Sequence, residues 1–151
     1  MTINQNINLL AMKTKLSTLW IVVLFNMLFR DIHEFARTGF LEEMLAMTSN
    51  GAQIPEGLLL AAAIVLEIPI SMIFLTQVLN TKVNRWANLI AAVIMIVMIV
   101  SNNLAPDLDD VFYVVFECAA LLLVIWYAWR WPKRLSVHSH IEEDVSASEL
   151  K

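Results

Sequence analysis

Four runs of apolar residues, at about 16–36, 58–79, 86–102 and 111–131, occupy most of this chain and admit few charges. A helix that crosses roughly 30 Å of hydrocarbon at 1.5 Å per residue needs about 20 mostly apolar residues, and each run approaches that length. Barrel strands would alternate polar and apolar residues at every second position, and these runs do not. Of the 151 residues, 59% are hydrophobic and 16% charged, whereas a soluble domain carries about a quarter of charged residues. The expected solvent is therefore the lipid bilayer. We read the chain as an all-α, four-transmembrane-helix bundle over 16–133, preceded by a short segment, 1–15, and followed by a tail, 134–151. The first run lacks a small-residue cleavage site and is longer than a signal core, so it is expected to be retained. Residues 1–12 lean polar and are expected to be loosely ordered. Residues 136–151, rich in Glu, Asp and Ser, are expected to be disordered or at most a frayed helix.

The placement of Lys and Arg predicts an orientation, because positive residues stay on the cytoplasmic side. Lys13 and Lys15 precede the first span, Lys82 and Arg85 lie between the second and third, and Arg130, Lys133 and Arg134 follow the fourth. The other two connections carry Glu42, Glu43, Glu56, Asp107, Asp109 and Asp110, with Arg37 as the only cation at their edge. Both termini are thus expected to be cytoplasmic, in an integral protein of the cell (plasma or inner) membrane. Trp20, Trp86, Trp129 and Trp131 fall near the cytoplasmic span ends, as an aromatic belt would.

Ionisable residues inside the spans are the candidates for function, because a charge at the centre of a membrane helix costs about 2.5–3.5 kcal/mol and seeks a partner. Glu67 lies roughly 13 Å along the second span and Glu117 roughly 9 Å along the fourth, counted from the outer ends. Arg30 sits at a similar depth. At about 100° per residue, Asn26, Arg30, His33 and Arg37 share one stripe of the first helix, with Glu34 at its margin and Asp31 turned away. Asp110 and Glu117 share a face of the fourth helix, and Glu67 and Ser71 share one on the second. Pro69 has no amide to offer the Val65 carbonyl, two residues from Glu67. A polar chamber in the outer half is one reading. In the other, Arg30 snorkels to headgroups and the acids are hydrogen-bonded glue between helices.

Other chemistry is poorly provided for. Three glycines leave no phosphate loop, and Cys118, the single cysteine, excludes an internal disulfide and a cysteine metal centre. Ile32-His33-Glu34 resembles the start of H-E-x-x-H, but Arg37 stands where the second His belongs. Without a second intramembrane histidine, a bis-histidine haem site cannot be built. His138 and His140, in the acidic tail, lack a third fixed ligand. We expect no metal or cofactor, no catalytic residues and, with a net charge of −4, no nucleic-acid partner.

The block Glu67-Ile68-Pro69-Ile70-Ser71-Met72, followed by Val78-Leu79 and Asn84-Arg85-Trp86-Ala87-Asn88, resembles an uncharacterised family of small bacterial four-span integral membrane proteins, a domain of unknown function. Leu19-Trp20, Phe25-Asn26 and Asp31 are related marks, and the likeness covers nearly all of residues 14–133. It implies a four-helix membrane fold and no defined activity. Taken physically, Asn84 is placed to cap the third helix, Arg85 to reach lipid phosphate, and Trp86 and Asn88 to complete an interfacial anchor. Binding of an anionic headgroup or a cytoplasmic partner by the same block stays open. Three functions fit these residues. One is a protein that binds or transports a small molecule or protons through Glu67, Glu117 and the Asn26/Arg30 stripe. The second is a membrane scaffold or oligomer subunit with structural acids, and the third is a membrane enzyme. Four short helices enclose little volume, so a homo-oligomer is expected.

Overall fold

The computed structural model describes residues 3–49, 51–103 and 108–131. Lys133, Arg134, Asp107, His138, His140 and the expected disorder of 136–151 lie outside them. Five helices and a two-strand ladder follow one another: α1 (Ile3–Glu34), α2 (Phe40–Leu45), β1 (Thr48–Ser49), β2 (Ala52–Gln53), α3 (Glu56–Val78), α4 (Thr81–Asn102) and α5 (Leu108–Trp129). α1, from Asn6, and α3, α4 and α5 are long and apolar enough to cross a membrane. The protein is an all-α bundle of four such helices, and its outside is apolar: Phe29, Leu60, Phe74, Val97, Phe112 and Leu122 are all exposed. An exterior of this kind belongs in lipid.

Residues 3–12, expected to be loosely ordered, are helical. No glycine occurs before Gly39 and no proline before Pro55, so nothing interrupts the extension of α1 towards its start, where each added residue contributes one hydrogen bond. The helix ends ahead of Gly39, whose φ of 85° places it in the left-handed region that glycine enters without steric cost. Two-residue strands β1 and β2 pair antiparallel beyond α2. Pro55, at φ −72°, then leads into α3. Between α3 and α4 the turn is tight, and the α4 cap is Asn80, whose side chain accepts from the Val83 amide at 3.2 Å. Asn84, expected to cap, does not.

The four long helices pack as a ring, α1 against α3 and α5, and α4 against α5 and α3. Each presents its buried side chains at spacings of three and four, the seam of helices that cross at small angles. Leu16, Trp20, Val23 and Met27 form it on α1, Asn84, Asn88, Ala91, Ala92, Met95 and Ile99 on α4, and Glu117, Ala120, Leu121, Val124 and Ala128 on α5.

Lipid tails are as apolar as leucine, so little hydrophobic force holds such helices together, and polar contacts weigh more heavily in fixing register. The densest group of them joins three helices around Asn88. Its amide nitrogen donates to the Asn84 backbone carbonyl at 2.8 Å and to Asn84 Oδ1 at 2.7 Å. Its oxygen accepts from the Trp20 indole at 2.7 Å, across the diagonal of the ring, and from the Thr76 hydroxyl at 3.4 Å. Asn84 in turn donates to the Thr76 carbonyl at 2.6 Å. Trp20, Thr76, Asn84 and Asn88 are fully buried. On the same side, Lys13 Nζ donates to the Gln77 and Leu79 carbonyls, both at 2.8 Å, satisfying two backbone acceptors at the end of α3. Ser17 donates to the Ile73 carbonyl at 3.0 Å.

Replacing Asn88 strands the Trp20 indole and the Thr76 hydroxyl together. Asn88→Leu is expected to lower the unfolding free energy by about 1–2 kcal/mol. Trp86→Phe, at an exposed site, is expected to change it by less than about 0.5 kcal/mol. Reversible unfolding in mixed micelles of rising SDS content measures both.

Candidate functional site

α1 and α5 run antiparallel, which brings the end of one beside the beginning of the other. The α1 seam continues past Met27 through Arg30, and the face of α5 that carries Asp110 and Glu117 is turned towards it. Arg30 Nη1 lies 3.2 Å from Glu117 Oε2, with side-chain exposures of 17% and 0%. The second carboxylate oxygen of Glu117, Oε1, is buried without a hydrogen-bond partner among the described residues. A buried charge is tolerated in hydrocarbon when paired, and an unbonded carboxylate oxygen is a place where a further donor gains energy.

Towards the end of α1 and the start of α5 the pair is followed by a ladder of ionisable groups. His33 Nε2 is 3.2 Å from Asp109 Oδ2. Arg37 Nη2 is 3.1 Å from Asp109, 3.4 Å from Glu34 and 3.8 Å from Asp110. The chain placement favours these contacts: Asp109 and Asp110 occupy the first turn of α5 and His33 the last turn of α1, where the helix dipoles favour those charges. Glu34, Asp109 and Asp110 bring carboxylate oxygens within 4.8 Å of one another. A cation would find three ligands there, yet the Arg37 guanidinium already stands among them.

The sequence candidates thus separate. Arg30 and Glu117 meet, and His33 and Glu34 join the ladder with Arg37, Asp109 and Asp110. Asn26 is half-buried on the α1 face next to the seam, and Asp31 is exposed, turned away from the stripe. Glu67 does not enter the interior: it is exposed on the outer side of α3, with the Ser71 hydroxyl 3.5 Å from its Oε1. The α3 seam runs through Pro69, Met72 and Thr76, and Glu67 falls on the opposite face.

The tryptophan–asparagine block is divided in the same way. Asn84 and Asn88, expected at the headgroups, are fully buried, whereas Trp86 and Trp129 are exposed. Trp20 is buried as well and belongs to the Asn88 network rather than to an aromatic belt. Arg85 stacks on Trp129 at 5.3 Å, Arg130 on Trp126 at 4.1 Å and Lys15 on Tyr127 at 5.6 Å, three cation–π contacts at the end opposite the acidic ladder.

Residues 8–137 match the model of a family described as a family of unknown function, DUF6326. The chain belongs to this family. No curated protein and no solved structure matches it. Membership leaves the activity to be inferred from the side chains.

Arg30→Met is expected to leave the Glu117 carboxylate buried without its cation and to cost about 3 kcal/mol. Arg30→Met combined with Glu117→Met removes both charges and should recover most of that loss. Thermal unfolding of the single and double variants in lipid nanodiscs tests the coupling.

Proposed function

We propose that this membrane protein binds a small anionic solute and a proton at the Arg30–Glu117 pair, as a homo-oligomer in the cell membrane with both termini cytoplasmic. The observation that carries the proposal is the 3.2 Å ion pair whose carboxylate is fully buried and keeps one oxygen unbonded. A proton delivered to Glu117 cancels its charge and releases the Arg30 guanidinium, which then offers a forked donor to a carboxylate-sized anion. His33, Glu34, Asp109 and Asp110 line the approach from the acidic end and supply groups able to pass a proton. The stacked Arg85, Arg130 and Lys15 at the other end support the orientation, since basic and aromatic residues collect at the cytoplasmic interface.

A scaffold reading is favoured by one feature. Between the Arg30–Glu117 layer and the Asn88 layer, the buried residues Val23, Met27, Ala92, Met95, Ala120 and Leu121 are all apolar. Ten residues separate Trp20 from Arg30, about 15 Å of closed core. Passage of a solute requires that this core open, while binding does not.

Calorimetric titration of the protein in lipid nanodiscs with a small carboxylate such as lactate, in two buffers of different ionisation enthalpy, tests the proposal. Wild-type protein is expected to take up a proton with the anion, Glu117→Gln to bind the anion without proton uptake, and Arg30→Gln to bind it at least tenfold more weakly. No binding by the wild type, or equal binding by Arg30→Gln, would leave the pair as a structural element.

A further inference from the structure

Glu67 is the central residue of α3, equidistant from its two ends, and it faces away from the bundle. Intramembrane carboxylates almost always turn to a protein interior or a water-filled cavity, because lipid tails offer no hydrogen-bond donor. Among the described residues, the surroundings of Glu67 provide only the Ser71 hydroxyl, in a shallow groove bordered by Ile64, Ile68 and Met72. α3 is also the least buried of the four spans.

The residues that share this outward face are Leu60, Ile64, Glu67, Ser71, Phe74 and Val78, spaced four, three, four, three and four apart. That alternation is the heptad seam of a left-handed helix pair, with Glu67 and Ser71 at its two central layers. Leu60, Ile64, Phe74 and Val78 are each more than half exposed. α3 therefore has two seams, one spent on its own bundle through Pro69, Met72 and Thr76 and one unpaired.

We propose that the outward α3 seam is the dimer interface, packing parallel against α3 of a second copy of this chain, with Glu67 and Ser71 forming its polar centre. It deepens the assembly part of the function proposed above and rests on it. The geometry selects a second copy as the occupant. Copies inserted in the same orientation present α3 parallel, so a two-fold axis along the membrane normal sets layer against identical layer. The contact then pairs each polar group with its own counterpart, carboxyl with carboxyl and hydroxyl with hydroxyl, and each Ser71 hydroxyl donates to one carboxyl. A single polar residue in such a seam also specifies register and partner number, because any slip leaves it against hydrocarbon.

Disulfide trapping of the full-length protein in phosphatidylcholine/phosphatidylglycerol vesicles, in a Cys118→Ala background, tests the seam. Ile64→Cys and Phe74→Cys are expected to form dimers on oxidation, while Phe29→Cys on α1 and Val115→Cys on α5, also lipid-facing, remain monomeric. Single-molecule photobleaching at low protein-to-lipid ratio is expected to show two-step traces for the wild type and Glu67→Gln, and an at least tenfold weaker association for Glu67→Leu. Trapping at Phe29 or Val115 but not on α3 would overturn the seam while leaving a homo-oligomer intact. One-step traces for the wild type would overturn both the seam and the assembly. Dimerisation of Glu67→Leu at wild-type strength would overturn the role of the carboxyl.

Discussion

Within hydrocarbon a side-chain amide has no solvent to fall back on, and in this protein the amide of Asn88 finds a protein partner for each of its four hydrogen-bonding positions. Two donors go to Asn84 and two acceptor sites take Trp20 and Thr76, so α1, α3 and α4 are tied at one level. A network satisfied in this way permits one arrangement of the helices, since any shift by a turn strands several groups at once. With its core end set by this node and by Lys13 on the last carbonyls of α3, α1 is held at the height that brings Arg30 opposite Glu117.

The fold was legible because lipid imposes strong requirements on sequence. Length and near-continuous apolarity were enough for the four helices, and the Glu67–Met72 and Asn84–Asn88 blocks for the family. The sharing of one α5 face by Asp110 and Glu117 followed from helical periodicity, and so did the setting apart of Asp31. What periodicity cannot say is which way a face points. Glu67 and Glu117 look alike in sequence, each a lone acid in an apolar run, yet Glu117 lies on the seam that meets α1 and Glu67 lies opposite the seam of α3. Only the packing separates them. The asparagine pair was visible as a motif, and its i, i+4 spacing on an apolar helix was the available signal for burial. Its nearness to Arg85 and Trp86 pointed instead to the interface, where only the two large side chains remain.

The interior is thus organised as two polar layers with an apolar core between them. One layer is saturated and rigid. The other contains an unbonded carboxylate oxygen and opens onto a ladder of acids and bases. The contrast between them separates a part that holds the fold from a part with unused bonding capacity.

The apolar core also has an electrical consequence. The two polar layers are separated by roughly 15 Å, and the buried side chains between them are apolar. A charge moved from one layer to the other would therefore meet no buried polar group among the described residues on the way, and the cost of its transfer falls on that stretch.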